Sequence, residues 1–266
     1  MYSRKIVDES FRLKAQGLTD KAIAAQCGVS VQAIRHWRYG NRRSAATEAR
    51  RADRTMYCPR CTDAPLKAEA YAYLLGLYLG DGYIGAISKG VDYLTIACCD
   101  TWPGLIEECA AAIATVFPVS VFRVRRQGCT EVKATSKHWR CVIPQHGKGH
   151  KHSRLIELEP WQQKIVDEQP EAFVRGLIHA DGCRLINRIR KKLPENGEQF
   201  YEYPRYQFVN TSTDIIDLLT GALDRLDIAW KSHIRKLEPR YRDTTVVSVS
   251  RKEAVARMDS FVGPKY

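Results

Sequence analysis

"YLLGLYLGDGYI", residues 73–84, is an apolar stretch at helical spacing that carries two glycines and ends on Asp-Gly. Glycine inside a helix costs about 0.5–1 kcal/mol relative to alanine, so Gly76 and Gly80 need a reason. "AFVRGLIHADGCRL", residues 172–185, has the same plan: Gly76, Leu77, Asp81 and Gly82 recur as Gly176, Leu177, Asp181 and Gly182. Gly76 and Gly80 are four apart and share one helix face, as do Gly176 and Ala180. Small residues at that spacing let two helix backbones approach closely. The pattern predicts helix 71–81 packed on helix 171–181 through these four residues, each helix closed at its aspartate by Gly82 or Gly182 as a left-handed cap.

Such packing brings Asp81 and Asp181 together at two helix C-termini, which are already partly negative. Two carboxylates added there repel each other and call for a cation. Their oxygens suit Mg²⁺, which takes one or two carboxylates and keeps waters or substrate phosphates as its other ligands. A paired-acid metal site beside a basic surface fits in-line hydrolysis of a phosphodiester.

The segments after each helix also repeat. The first helix leads into strand-like "YIGAIS" and "YLTIACC", a helix "WPGLIEECAAAIATVF", then "VSVFRVRR" and "TEVKATSKHWRCVI". The second leads into "CRLINRIR" and "YQFVNTS", a helix "TDIIDLLTGALDRLDI", then "WKSHIRK" and "TTVVSVSRK". Matching Tyr93 to Tyr206, Leu105 to Leu218 and Ile113 to Leu226 places a longer polar loop, "KKLPENGEQFYEYP", in the second copy. Both copies read as αββαββ, a duplicated α+β unit. Basic residues alternate along the strands. Arg123 and Arg125 share one face, Lys133, Thr135 and Lys137 share another, and Lys231, His233 and Arg235 repeat the pattern. Two such sheets side by side predict a positive saddle able to follow a DNA groove.

The formal charge of +12 over 266 residues favours an anionic partner, with nucleic acid the leading candidate. No run of 18 apolar residues is present and the N-terminus lacks an apolar signal core, which predicts a cytoplasmic chain with no membrane span. The nine cysteines then read as mostly reduced.

Residues 1–43 read as a small all-α domain of three short helices, the last two separated by the glycine turn "CGVS". In the first, Ile6, Val7, Phe11 and Leu13 are the apolar positions; Thr19 and Ser30 are capping residues for the second and third. Helix, glycine turn, helix is the helix-turn-helix plan. Its second helix offers Gln32, Arg35, His36 and Arg38 to solvent, types that read base edges and grip phosphates. Thirteen Lys or Arg against six Asp or Glu in residues 1–65 favour DNA over a protein-interaction module. Residues 44–66 read as a charged, flexible or partly helical linker containing "CPRC". Cys58 and Cys61 fit either half of a structural Zn²⁺ site or a tight turn; no second Cys-x-x-Cys pair is present further on. "HGKGHKH", with His146, His150 and His152, fits a metal loop less well than a phosphate-touching loop or a plain connector.

"LLGLYLGDG" and "VRGLIHADG" resemble the two signature motifs of the LAGLIDADG homing endonucleases. The resemblance covers residues 67–266, as half-domains 67–165 and 166–266, and leaves the N-terminal helices outside. It implies a monomeric pseudo-dimer with the motif helices at its pseudo-twofold axis. It implies Mg²⁺ at Asp81 and Asp181 with help from the carbonyls of Gly80 and Ala180, and cutting of both strands of a long duplex target. It also implies a supporting basic residue near the late strands of each half, here Lys137 in the first and Arg251 or Lys252 in the second. The often acidic sixth motif position is Leu79 and His179 here; His179 reads as a structural residue, since the metal set is complete without it. Two other classes compete. A transcription regulator built on the same core without cleavage is compatible with the N-terminal helices, but two adjacent anions facing phosphates serve a pure binder poorly. A protein-splicing element is disfavoured, as the first residue is not a nucleophile and the last is not Asn.

Overall fold

In a computed structural model the chain forms two compact units, Met1–Tyr57 and Cys58–Tyr266. The structure describes residues 2–39, 44–49, 57–62, 64–87, 90–192, 198–238 and 240–266. No helix among them is long and apolar enough to cross a membrane.

The first unit holds α1 (Arg4–Ala15), α2 (Asp20–Cys27) and α3 (Val31–Tyr39). The Thr19 hydroxyl accepts the Ala22 N–H at 3.2 Å and starts α2; the Ser30 hydroxyl accepts the Ala33 N–H at 3.1 Å and starts α3. Gly28, at φ 66°, ends α2 in the left-handed region that glycine enters without strain. Val7, Leu13, Ile23, Ala24, Ile34 and Trp37 form the core. Phe11, expected on the apolar face of α1, is exposed, and the buried positions there are Val7, Ser10 and Leu13. Of the expected linker, residues 45–49 are helical and residues 50–56 lie outside the described residues, as do residues 40–43. The segment from Cys58 belongs to the second unit.

The second unit contains two four-stranded antiparallel sheets of identical topology. Helix α4 (Ala68–Asp81) leads into β1 (Gly82–Ala86) and β2 (Asp92–Cys99), then α5 (Pro103–Val116), β3 (Val121–Arg126) and β4 (Cys129–Ser136), in the order β1-β2-β4-β3. Two short helices come next, α6 (Trp139–Val142) and α7 (Pro160–Glu168). Helix α8 (Pro170–Asp181) leads into β5 (Gly182–Lys192) and β6 (Glu198–Asn210), then α9 (Thr213–Arg225), β7 (Lys231–Arg235) and β8 (Thr244–Val249), in the order β5-β6-β8-β7. Helix α10 (Lys252–Val262) closes the unit. The αββαββ repeat is thus present, with α6, α7 and α10 as additions.

Three sequence expectations change. First, the polar loop at residues 191–204 is mostly hairpin. Strands β5 and β6 run on to Lys192 and from Glu198, tied by Asn187 to the Tyr203 hydroxyl at 2.8 Å and by Arg188 lying 4.1 Å from the centre of the Phe200 ring; residues 193–197 lie outside the described residues.

Second, the register of the repeat is one residue out along the second strands. Ile96 pairs with Gly82 as Phe208 pairs with Gly182, so Tyr206 corresponds to Leu94, not Tyr93. Leu94 and Tyr206 are both buried under helices, whereas Tyr93 lies on the opposite face. The helix match shifts as well. Leu105, Ile106, Cys109, Ala110 and Ile113 of α5 match Ile215, Ile216, Leu219, Thr220 and Leu223 of α9 in spacing and burial.

Third, the basic faces differ. Arg123 pairs with Val132 and Arg125 with Thr130, both buried, so these arginines stand on the helix-covered face at the edge strand. Arg123 is bound to Glu107 of α5. The open face of the first sheet carries Arg126 and Lys133 instead, both on Glu131 at 3.0 and 2.7 Å. In the second sheet Lys231, His233 and Arg235 pair with Ser248, Val246 and Thr244 and do stand on the open face. Arg235 is therefore the counterpart of Arg126, and Arg123 and Arg125 correspond to Ser232 and Ile234.

Candidate active site

The site begins with the glycines. A Cβ on Gly76 would lie 2.5 Å from the Phe173 carbonyl oxygen and 2.9 Å from Gly176 Cα; one on Gly176 would strike the Tyr73 carbonyl oxygen. At Gly80 a Cβ would meet that of Ala180 and lie 3.3 Å from Asp181 Oδ2. Helices α4 and α8 therefore run backbone against backbone, which only these small residues permit. Gly82 and Gly182 are not left-handed caps. Their φ angles are −96° and −98°, extended backbone that begins β1 and β5. Glycine is required for space, since a Cβ would lie 2.6 Å from Tyr78 Cα at the first and 2.7 Å from Ile178 Cα at the second. In each repeat the chain thus turns from helix to strand directly after the aspartate.

This geometry sets Asp81 and Asp181 side by side. Asp81 reaches solvent on one side and is ringed by protein on the others. That crowding, with the charge of Asp181, pushes its carboxyl up to about 6 against the pull of Lys151 and Lys265. Asp181 is half-buried; burial raises its carboxyl too, opposed by Lys151, by an Asn210 Nδ2 bond to Oδ2 at 2.8 Å, and by Lys265.

Two lysines not expected from the sequence complete the site, Lys151 within the "HGKGHKH" loop and Lys265 after α10. Lys151 donates from Nζ to the Gly80 carbonyl oxygen at 2.5 Å; Lys265 donates to that of Gly182 at 2.6 Å and approaches that of Ala180 at 3.4 Å. Burial lowers both ammoniums, Lys151 to about 8, while the aspartates hold them up. Each faces its own cavity. One of about 340 Å³ is lined by Tyr78, Gly80, Lys151, Arg154 and Asn210; one of about 80 Å³ is lined by Asp81, Cys98, His179 and Lys265.

Local structure explains both positions. Arg154 donates to the carbonyls of Gln145, Gly147 and Gly149 at 2.8–3.1 Å, which curls the glycine-histidine loop and presents Lys151 from the short turn Lys151–Ser153. In that loop the rings of His150 and His152 stack at 5.2 Å. Lys265 is fixed by its neighbour: the Tyr266 carbonyl oxygen accepts the Gly104 N–H at 2.7 Å at the start of α5, and its hydroxyl bonds Glu108 at 2.7 Å. His179 is buried. Its Nε2 is 2.9 Å from the Val262 carbonyl oxygen and its Nδ1 2.9 Å from the Tyr73 hydroxyl; burial first, then Arg175, lowers it to about 4, so the ring is neutral.

The other expected residues lie elsewhere. Lys137 falls beyond the end of β4 and is exposed; Arg251 and Lys252 are exposed at the start of α10. None of the three is among the charges acting on the aspartates. Lys151 sits in a connector and Lys265 after the last helix, where no strand alternation could mark them; the one signal was the basic loop "HGKGHKH", which holds Lys151 and reads as able to touch phosphate. Cys58 and Cys61 are at a separate place, beside His138 and Cys141. In the first unit Gln32, Arg35 and His36 are exposed, but Arg38 is half-buried, bound to Asp20 at 2.6 Å and lying over the Tyr39 ring at 4.7 Å. It braces α3 on α2 instead of facing solvent.

The oxygen donors present fit a hard divalent cation such as Mg²⁺: two converging carboxylates, with the carbonyls of Gly80 and Ala180 next to them. No protein-family model and no curated protein sequence matches the chain. Solved structures are similar to it. Mesophilic variants of the homing endonuclease I-DmoI share 16% identity over 74% of this chain and 91% of theirs, with a TM-score of 0.47. I-DmoI in complex with DNA and Mn shares 15% over 75% of this chain and 99% of its own, at 0.46. The N-terminal LAGLIDADG domain of DUF199/WhiA shares 11% over 75% and 85%, at 0.45.

Proposed function

We propose that the chain is a sequence-specific endonuclease of the LAGLIDADG homing type that hydrolyses both strands of a long DNA duplex. The observation that carries this reading is the Asp81–Asp181 pair at the junction of two close-packed helices, with a sheet of the same topology beginning at each. Two like-charged carboxylates held side by side at crowded helix ends repel each other; a bound cation would relieve that repulsion.

Asp81 and Asp181, with the Gly80 and Ala180 carbonyls, would hold Mg²⁺. When bound, Mg²⁺ supplies neutralisation of phosphodiester charge and eases attack by water. The chain's own groups do the rest. The open sheet faces offer Arg126, Lys133, Lys231, His233 and Arg235 to the DNA backbone and grooves. Asn210 holds the Asp181 carboxylate in one orientation through its 2.8 Å bond. Lys151 and Lys265, which line separate cavities beside the acid pair, would each present an ammonium to a phosphodiester there and stabilise charge on its oxygens. The first unit adds affinity as a helix-turn-helix, with Gln32, Arg35 and His36 at the duplex. The protein works as a monomer, each half addressing one strand.

A second reading has one observation of its own. Two ammoniums already balance two carboxylates, with Lys151 and Lys265 seated on the carbonyls beside them. A DNA-binding transcription regulator on this core would need no metal. Selection of bound duplexes from a randomised library, then incubation with Mg²⁺, separates the two. The endonuclease cuts both strands of its selected duplex; the regulator binds it and leaves it whole.

A further inference from the structure

Two loops far apart in sequence converge on one point of the second unit. Residues 58–62 form a tight turn in which the Cys61 and Thr62 N–H groups bond the Cys58 carbonyl oxygen at 3.1 and 2.9 Å. The Thr62 hydroxyl bonds that same oxygen at 3.0 Å and accepts the Cys58 N–H at 3.2 Å. The turn places both thiols on one side. Opposite it, "HWRC" at residues 138–141 spans the first turn of α6, with the Cys141 N–H on the His138 carbonyl oxygen at 3.0 Å. That turn is rigid. The fully buried Trp139 donates its indole N–H to the Ala134 carbonyl oxygen at 2.9 Å, and Arg140 grips Asp92 at 2.7 and 2.8 Å. On the other side Arg60 lies 4.6 Å from the centre of the Trp161 ring, which packs on Tyr71.

The ligand atoms of Cys58, Cys61, His138 and Cys141 all lie within 4.8 Å of one another. Cys61 Sγ is 3.6 Å from Cys141 Sγ and 3.5 Å from His138 Nδ1, and Cys141 Sγ is 3.6 Å from the same nitrogen. A tetrahedral zinc ion with ordinary bond lengths sets its ligands about 3.8 Å apart for two sulfurs and about 3.5 Å for sulfur and nitrogen. The observed edges match both. A disulfide would need sulfurs about 2.05 Å apart and would leave the histidine without a role. We propose that Cys58, Cys61, His138 and Cys141 bind one Zn²⁺ as a closed structural site, with His138 ligating through Nδ1.

Four protein ligands leave no open position, so the ion holds structure and does no chemistry. It clips the segment entering α4 to the turn leaving β4 and thereby closes the whole first half of the second unit into a loop. The ligand set is Cys-x-x-Cys paired with His-x-x-Cys. A search for a second cysteine pair misses it, since the third ligand is a histidine.

The test uses the full chain purified without chelators from zinc-supplied cells. The zinc content should be one ion per chain, and should stay so in Asp81→Asn/Asp181→Asn, which alters only the acid pair. Cys141→Ser and His138→Ala should lose the ion, while His138→Cys, a four-cysteine set, should keep it. Replacement of zinc by Co²⁺ in the wild type should give the intense visible bands of a tetrahedral thiolate site, a readout independent of whether any variant folds. Weak octahedral cobalt bands, a folded wild type without zinc, or full zinc content in folded Cys141→Ser would each overturn the proposal.

Discussion

The Lys151 ammonium lies 2.5 Å from the carbonyl oxygen of Gly80, the residue before Asp81. Lys265 donates instead to the carbonyl oxygen of Gly182, the residue after Asp181, at 2.6 Å, and lies 3.4 Å from the carbonyl oxygen of Ala180, the counterpart of Gly80. The two acids are therefore held by cations from segments outside both sheets. Removing Lys151 should raise the Asp81 carboxyl further, because one of its two opposing positive charges is gone. Asp181→Asn should lower it towards the ordinary carboxylate range, because the like charge is gone. Carboxyl ¹³C titration of metal-free protein measures both; equal values in all three proteins would show that the groups do not interact.

The same groups set a pH window. Asp81 protonates as pH falls through about 6, and Lys151 loses its proton as pH rises through about 8. A folded-state carboxyl pKa raised above its ordinary value means that the folded form binds the extra proton, so stability falls as pH rises from about 4 to about 6. Asp81→Asn should abolish that fall. Cleavage should run the other way on the acid side, rising as Asp81 ionises, with a limb at or below 6 and a second near 8. Lys151→Met should remove the alkaline limb together with most of the rate.

The helix seam tolerates nothing larger than it has. Gly76→Ala forces a Cβ to within 2.5 Å of the Phe173 carbonyl oxygen, so the backbones must part. Overpacking of this kind costs about 1–3 kcal/mol, read as a lowered denaturation midpoint. Cleavage should fall by more than that drop in stability implies, because the aspartates are carried on the displaced helices. Unchanged stability and unchanged activity would contradict the close approach.

The face assignment is testable by salt dependence. Arg126→Ala and Arg235→Ala, on the open faces, should each weaken DNA binding and reduce the slope of log K against log salt by about 0.9 for every phosphate no longer neutralised. Arg123→Ala, on the helix-covered face and bound to Glu107, should leave the slope unchanged. Deleting residues 1–57 should weaken binding and flatten the salt dependence without moving the cut position.

The sequence carried the repeat, the helix seam and the acid pair, because each is written in residues whose types have few other uses: glycine inside an apolar helix, and aspartate at its end. It misplaced what depends on register. Tyr93 and Tyr206 match by type, yet a one-residue offset puts them on opposite faces of their sheets. Arg123 and Arg125 alternate as surface residues should, opposite Phe122 and Val124, but on this edge strand neither face is fully buried, and the arginines take the helix-covered one. Lys151 and Lys265 come from irregular segments, one curled by Arg154 on the carbonyls of its own loop and the other held by Tyr266 on the distant Gly104 N–H, and no helix or strand period encodes either.

Strand scission by Asp81→Asn and Asp181→Asn proteins on a selected duplex, with Mg²⁺ present, tests the central claim most directly. Wild type should cut both strands, and each variant should bind the duplex at least as tightly while cutting at least about 100-fold more slowly, the effect expected when one of two paired charges at a reacting phosphate is removed (about 2.7 kcal/mol or more). Cutting by either variant at the wild-type rate would contradict it.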